Sequence, residues 1–273
     1  MGVVQGLAEF LPISSSGHLS IFQNLLGIDN ALSGNLFFNV MLHVGTLGSV
    51  IVAFWDDIQS MIIEFLRMIG DLFGRKKRNV DAPVNAPARR LILLIIVATL
   101  PLVIVLPFKD AIESLSSNTI FVGCMLIITG IMLFLADRMK SGKATERSAK
   151  FTSVLFVGLM QALATIPGIS RSGATISSGL STGFERKFAF RFAFLMSLPA
   201  VAGAALLEAV DAVQAGIDTS TLLLCLVGMI VSFFTGLAAI KLLRKVTAKG
   251  SFGWFSGYCL AVGVIAIVLS IVL

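Results

Sequence analysis

QGLAEFLPISSSGH, Gln5 to His18, returns without a gap 156 positions later as QALATIPGISRSGA, Gln161 to Ala174. Gln5, Leu7, Ala8, Ile13, Ser14, Ser16 and Gly17 recur as Gln161, Leu163, Ala164, Ile169, Ser170, Ser172 and Gly173. In each copy an apolar run is broken by proline and closes on a Ser/Gly tip. Proline removes a helical hydrogen bond and Ser/Gly clusters favour turns, so each copy is expected to form a half-helix, a turn and a second half-helix.

The surroundings of the two copies are those of a membrane protein. Of 273 residues 56% are hydrophobic and 13% charged, with a mean hydropathy of +0.95, whereas soluble domains carry roughly 25% charged residues. Apolar runs of spanning length, about 20 residues, lie at 36–55, 91–108, 118–136, 188–210, 220–243 and 251–273. The expected fold is therefore an all-α integral membrane protein with six spanning helices and two re-entrant helix-loop-helix hairpins, at 1–27 and about 151–183. A cleaved signal peptide is not expected, because no basic region precedes the first apolar run, which breaks at Pro12. The net charge of +6 resides in short loops between spans, where it orients the chain; no nucleic-acid partner is expected. Cys124, Cys225 and Cys259 are odd in number, far apart and inside apolar runs, so neither a disulfide framework nor a metal cluster is expected.

Loop charge sets the topology. The loops at 75–90, 138–150, 186–191 and 241–249 are rich in Lys and Arg, the first including the run RKKR, while those at 109–117 and 211–220 are not. The positive-inside rule places the first group in the cytoplasm and the second outside. Both termini are then outside, and the hairpins enter from opposite faces. The chain is expected to be a single membrane domain, 1–273, built from pseudo-repeats at about 1–140 and about 151–273 in inverted orientation. Broken backbone at membrane depth persists only when buried in protein or lining a wet cavity, so the meeting of the two tips is the expected site.

The first tip carries Gln5, Glu9, Ser14, Ser15, Ser16 and His18, the second Ser170, Arg171, Ser172 and Thr175. A charge at this depth costs roughly 2.5 to 3.5 kcal/mol, so Glu9 and Arg171 need a reason. One reading is a structural ion pair across the hairpins. The other is a phosphate site: Arg171 presents a planar fork to phosphate oxygens, and Ser172 to Thr175 opens a half-helix whose N-terminus favours an anion. Gln5 and Glu9, four apart on one helical face, are placed to reach a cation or a water, and His18 is a candidate base. Where the copies differ, the chemistry collects: Glu9 stands opposite Thr165, Ser15 opposite Arg171 and His18 opposite Ala174. The shared Ser14 and Ser16 are expected to serve the turn, which leaves Ser15 as the candidate nucleophile unless water attacks directly. His43, mid-span with no acidic neighbour at helical spacing, is expected to be packed or hydrogen-bonded.

GVVQGLAEFLPISSSGH together with PGISRSGAT resembles the two signatures of the bacterial undecaprenyl-diphosphate phosphatases of the bacitracin-resistance type. One signature is written (E/Q)xxxE followed by a Ser-rich Gly-His, the other PGxSRSxxT, and the similarity runs over essentially the whole chain. The resemblance implies hydrolysis of the C55 isoprenyl diphosphate to the monophosphate carrier lipid of wall synthesis, in the bacterial inner (plasma) membrane, with a divalent cation (Mg or Ca). It implies catalytic roles for Glu9, Ser15, His18 and Arg171, substrate binding by Ser170, Arg171, Ser172 and Thr175, and metal binding by Glu9 with Gln5 at the Glu/Gln position. Members of that family have a longer lead before the first motif than the four residues ahead of Gln5 here. A second resemblance, to acid phosphatases with a SRxxxxxH signature, fails because no histidine follows Arg171.

Two functions are compatible with the tips alone. A membrane phosphatase would use the asymmetric trio Glu9, Ser15 and His18. A transporter or flippase of an anionic lipid phosphate would need the inverted repeat and an anion site but not that trio. The partners expected are a polyprenyl diphosphate and the bilayer, and nothing in the sequence indicates an oligomer.

Overall fold

A computed structural model describes residues 1–26, 36–72, 85–215 and 222–272. Among them every regular element is helical, apart from one isolated bridge between Ala144 and Phe184. The first sequence copy forms α1 (Gly2–Phe10) and α2 (Ser15–Leu26), with Pro12 in the break between them. The chain continues through α3 (Leu36–Ala53), α4 (Trp55–Leu72), α5 (Ala86–Val105), the short α6 (Lys109–Ser114) and α7 (Thr119–Arg138). The second copy gives α8 (Phe151–Leu163) and α9 (Arg171–Ser181), followed by α10 (Arg186–Ala215), α11 (Leu222–Lys249) and α12 (Gly253–Val272). The RKKR run and Asp218 lie outside the described residues.

Local sequence sets several of these boundaries. Asn85 caps α5 by accepting from the Ala88 N–H, and a proline follows in the first turn; Asn118 caps α7 by accepting from the Phe121 N–H. Five helical segments, Ala86–Ser117, Thr119–Arg138, Arg186–Val210, Leu222–Lys249 and Gly253–Val272, are each long and apolar enough to cross a membrane. A sixth crossing is reached only by taking α3 together with α4, which leaves it at 87°. The expected six spans thus become five plus one bent pair. By contrast α8, with 13 residues, is about 20 Å long at 1.5 Å per residue, against a hydrocarbon core of about 30 Å; α1 is shorter still.

Small residues let these helices approach closely. α1 packs on α11, α8 on α5, α7 along α12, and α3 against both α10 and α11. Gly2 and Gly158, equivalent in the two sequence copies, occupy the tightest kind of seam: a methyl group on Gly2 would lie 2.8 Å from the Gly228 carbonyl oxygen, and one on Gly158 2.4 Å from that of Ala98. Lipid offers no hydrophobic drive for helix association, so such close packing supplies it. The core is aromatic where α3, α10 and the first hairpin meet, with Phe10, Phe54, Phe190 and Phe194 in mutual ring contact. Outward, Ile104, Leu206, Leu223 and Phe234 are exposed, as lipid-facing side chains should be.

α4 is amphipathic in the inverse sense. Ile62, Ile63, Phe65 and Leu66 are exposed, whereas Glu64 is buried. Its carboxylate accepts from the Arg89 Nε at 2.8 Å, from the Asn85 backbone N–H at 3.2 Å and from Arg67. A buried carboxylate is tolerated only when paired and hydrogen-bonded, and this set ties α4 to the start of α5.

Candidate functional site

The two breaks are built alike. Ser14 accepts from the Gly17 N–H at 3.2 Å, and Ser170 accepts from the Gly173 N–H at 3.2 Å, each capping the half-helix that follows. Ser16 and Ser172 pair their hydroxyls with Ser14 and Ser170, at 3.4 and 3.2 Å. The symmetry stops at the backbone: Ser14 has φ 67° while Ser170 has φ −75°. A left-handed serine is held only where its surroundings impose it. On the second tip Gly168 takes φ 98°, and a methyl there would meet the Val122 carbonyl oxygen of α7 at 2.6 Å. Thr129 of α7 fixes that tip further, donating to the Gly168 carbonyl at 3.0 Å and accepting from the Ser170 N–H at 3.1 Å.

The tips meet through the residues that differ between the copies. Arg171 Nη1 lies 3.3 Å from Glu9 Oε1. Ser15 Oγ donates to Glu9 Oε2 at 3.1 Å, and Gln5 Nε2 donates to the same oxygen at 3.3 Å. The Glu9 side chain is 8% exposed and that of Arg171 33%, so the carboxylate is enclosed while the guanidinium still reaches open space. The ion pair across the hairpins is thus present, with the guanidinium left accessible. Arg171 is the first residue of α9, where the first backbone N–H groups lack intrahelical acceptors and that of Gly173 is capped by Ser170.

Other expected members stand apart from this cluster. His18 is buried and does not bond Ser15: its Nδ1 is 2.8 Å from the Ser14 carbonyl oxygen and its Nε2 is 2.8 Å from the Tyr258 hydroxyl. A carbonyl only accepts, so Nδ1 carries the proton and Nε2 faces Tyr258 as the acceptor. Thr175 is buried and returns its hydroxyl proton to the Arg171 carbonyl at 2.8 Å. Its place is in the first turn of α9 rather than at an open phosphate position.

Two side chains escaped the sequence reading. Tyr258, the one tyrosine in the chain, reaches His18 from α12. His43 does have an acidic partner, Glu208 of α10, with Nδ1 to Oε2 at 3.4 Å, besides its contact with the Asn39 carbonyl at 3.1 Å. The imidazole lies within electrostatic range of both Glu9 and Arg171. Neither partner could be found by helical spacing, because both come from distant helices.

A family model described as "Bacitracin resistance protein BacA" matches residues 1–265. The chain belongs to the BacA family. Among its BacA relatives are three proteins named "Undecaprenyl-diphosphatase". That of Methanosphaera stadtmanae is 43% identical over 100% of this chain and 97% of the relative. That of Alkaliphilus metalliredigens is 42% identical over 99% and 97%, and that of Desulforapulum autotrophicum 42% identical over 100% and 97%.

Proposed function

We propose that this BacA protein hydrolyses undecaprenyl diphosphate, or a polyprenyl diphosphate of that class, to the monophosphate and inorganic phosphate, returning a carrier lipid to wall synthesis. The names of its relatives support the reaction class. The observation that carries it is the Ser15 hydroxyl bonded to a buried Glu9 carboxylate directly beside Arg171: a nucleophile, a base and an anion receptor in one place, as an activated serine requires.

The chemistry follows from that order. Arg171 leaves Glu9 for the terminal phosphate, joined by the free N–H groups at the start of α9 and by Ser172; Ser170 keeps the turn in register. Ser15 Oγ attacks the terminal phosphorus while its proton passes to Glu9 Oε2, and the bond from that phosphorus to the bridging oxygen breaks, releasing the lipid monophosphate. Water then attacks the phosphoserine phosphorus, its proton passing by way of the His18 and Tyr258 pair to solvent; the bond from phosphorus to Ser15 Oγ breaks, Glu9 returns its proton to that oxygen, and inorganic phosphate departs. Such transfers depend mainly on positioning and electrostatic stabilisation, which a rigid double tip provides.

The first tip also suits a hard divalent cation, Mg or Ca: the Glu9 carboxylate and the Ser15 hydroxyl are in contact, and the Gln5 carboxamide, which meets Glu9 through its Nε2, would turn its oxygen to the ion. Among the described residues no group of three or more His, Cys, Asp or Glu side chains could hold a metal, so the phosphate would complete the coordination, as is common for Mg. When bound, the cation neutralises phosphate charge; Glu9 and Gln5 would hold it.

Hydrolysis and transport separate in detergent, where there is no second compartment. The purified chain should release inorganic phosphate from undecaprenyl diphosphate there. No release under conditions in which the protein stays monodisperse would favour the lipid transporter instead.

For orientation we propose a plasma-membrane protein with two inverted pseudo-repeats and both termini outside. The loop charges support this, and so do the equivalent seams at Gly2 and Gly158, where each hairpin packs on a helix of the other half. Single cysteines placed at Asn79 and Gln214 should react with an impermeant reagent from outside only at 214. Labelling at 79 alone reverses the topology.

A further inference from the structure

A second polar site lies where α3 turns into α4. There the starts of α4 and α10 and the end of α11 enclose a cavity of about 570 Å³. One of its cations is already neutralised: Arg191 holds Asp57 with two hydrogen bonds, at 2.7 and 3.0 Å, and also meets Glu146 at 3.5 Å. Arg186, Lys187 and Arg244 then face Asp56 as the one remaining carboxylate of the lining. Arg244 is held by packing, its guanidinium over Phe54 and Phe190 at 5.4 and 5.8 Å from the ring centres.

Two buried polar atoms in this lining have no partner. Arg186 donates through Nη2 to the Met139 carbonyl at 2.6 Å, but its buried Nη1 bonds nothing. Thr247 is 1% exposed and its Oγ1 is likewise unpaired. That is unusual within the chain, since Thr99, Thr175 and Thr235 each return the hydroxyl to a carbonyl of their own helix. Buried polar groups are nearly always satisfied, so two orphan donors beside surplus positive charge call for a ligand that brings several acceptor oxygens and negative charge.

We propose that this cavity binds the headgroup phosphate of an anionic lipid. Its rim carries Trp55, 54% exposed, and α4 departs from there at 87° with Ile62, Phe65 and Leu66 outward. An exposed tryptophan and a transverse amphipathic helix are the marks of headgroup depth. The phosphate takes hydrogen bonds from Arg186 Nη1 and the Thr247 hydroxyl, Lys187 supplies charge, and the acyl chains run along the apolar side of α4. The site is separate from the tips and shares no residue with them.

The test uses Trp55 as the reporter. The chain has two tryptophans, so Trp254→Phe leaves Trp55 alone. That full-length protein is placed in phosphatidylcholine nanodiscs containing a minor fraction of acyl-brominated phosphatidylglycerol or, separately, acyl-brominated phosphatidylcholine, and the quenching of Trp55 is compared. A roughly tenfold preference for the anionic lipid is expected from the surplus cationic charge. Thr247→Val, nearly isosteric and therefore folded, should reduce it roughly fivefold, and Lys187→Gln should reduce it as well. Equal quenching by the two lipids overturns the proposal, as does a preference that survives both substitutions. A Trp55 response to inorganic phosphate in detergent, lost in Thr247→Val, with no lipid preference, supports the phosphate site and overturns the lipid as its source.

Discussion

Ser15→Ala should lower phosphate release from undecaprenyl diphosphate by at least roughly 1,000-fold, the scale on which loss of an activated nucleophile is felt, while the protein remains folded and monodisperse. Ser15 makes its bond to Glu9 and none to the turn. Its removal leaves the caps at Ser14 and Ser170 intact. Ser14→Ala acts oppositely: it removes the Gly17 cap from a residue at φ 67° and should cost stability, about 1 kcal/mol for the cap, with activity lost only as far as folding is lost. Measuring turnover and thermal stability on both variants separates the roles. Native-rate hydrolysis by Ser15→Ala would remove the serine from the chemistry.

Arg171→Lys should lose roughly 100-fold in turnover, the cost of one missing preorganised donor to a developing charge. A lysine keeps the charge and, at 3.3 Å from Glu9 in the native arrangement, could retain the ion pair. What it cannot keep is the planar fork that holds two phosphate oxygens at once. If Arg171 served only to neutralise Glu9, the lysine variant would hydrolyse at the native rate. That single comparison decides between a structural ion pair and a phosphate receptor, the two readings the sequence left open.

Much of this arrangement was legible before any coordinates. The hairpins followed from Pro12 and Pro167 beside Ser/Gly tips, and the long helices from uninterrupted apolar runs. The meeting of Glu9 with Arg171 could be anticipated because two charges at membrane depth need each other or a ligand. The bend between α3 and α4 was not foreseen: neither proline nor glycine stands between Ala53 and Asp56, and the signal was only the acidic pair Asp56 and Asp57, favourable in the first turn of a new helix. His18 illustrates the limit of spacing arguments. A candidate base three residues from Ser15, it bonds Ser14 and Tyr258 instead of that hydroxyl, and a tyrosine 240 positions away leaves no local trace. The same holds for Glu208 on His43 and for Thr129 on the second tip.

His18 and Tyr258 form a second hydrogen-bonded pair, apart from the Glu9–Ser15 contact. Glu9 is bonded to Ser15, and His18 to Tyr258 of α12; in the proposed two-step hydrolysis the first pair would serve the attack on phosphorus and the second the attack by water. A serine that is phosphorylated and then freed by water would use such a division, because the protonated Glu9 has to return its proton to the departing Ser15 oxygen and is not available to the water.

In the proposed reaction the hydroxyl of Ser15, bonded to Glu9 at the first tip, accepts the terminal phosphate. Rapid mixing of the purified chain with undecaprenyl diphosphate labelled in that phosphate, followed by acid quenching within the first turnover and peptide mapping, reads it directly. Label is expected on Ser15, appearing before free phosphate and missing from Ser15→Ala. Phosphate released at the native rate with no label on the chain at any time would contradict it.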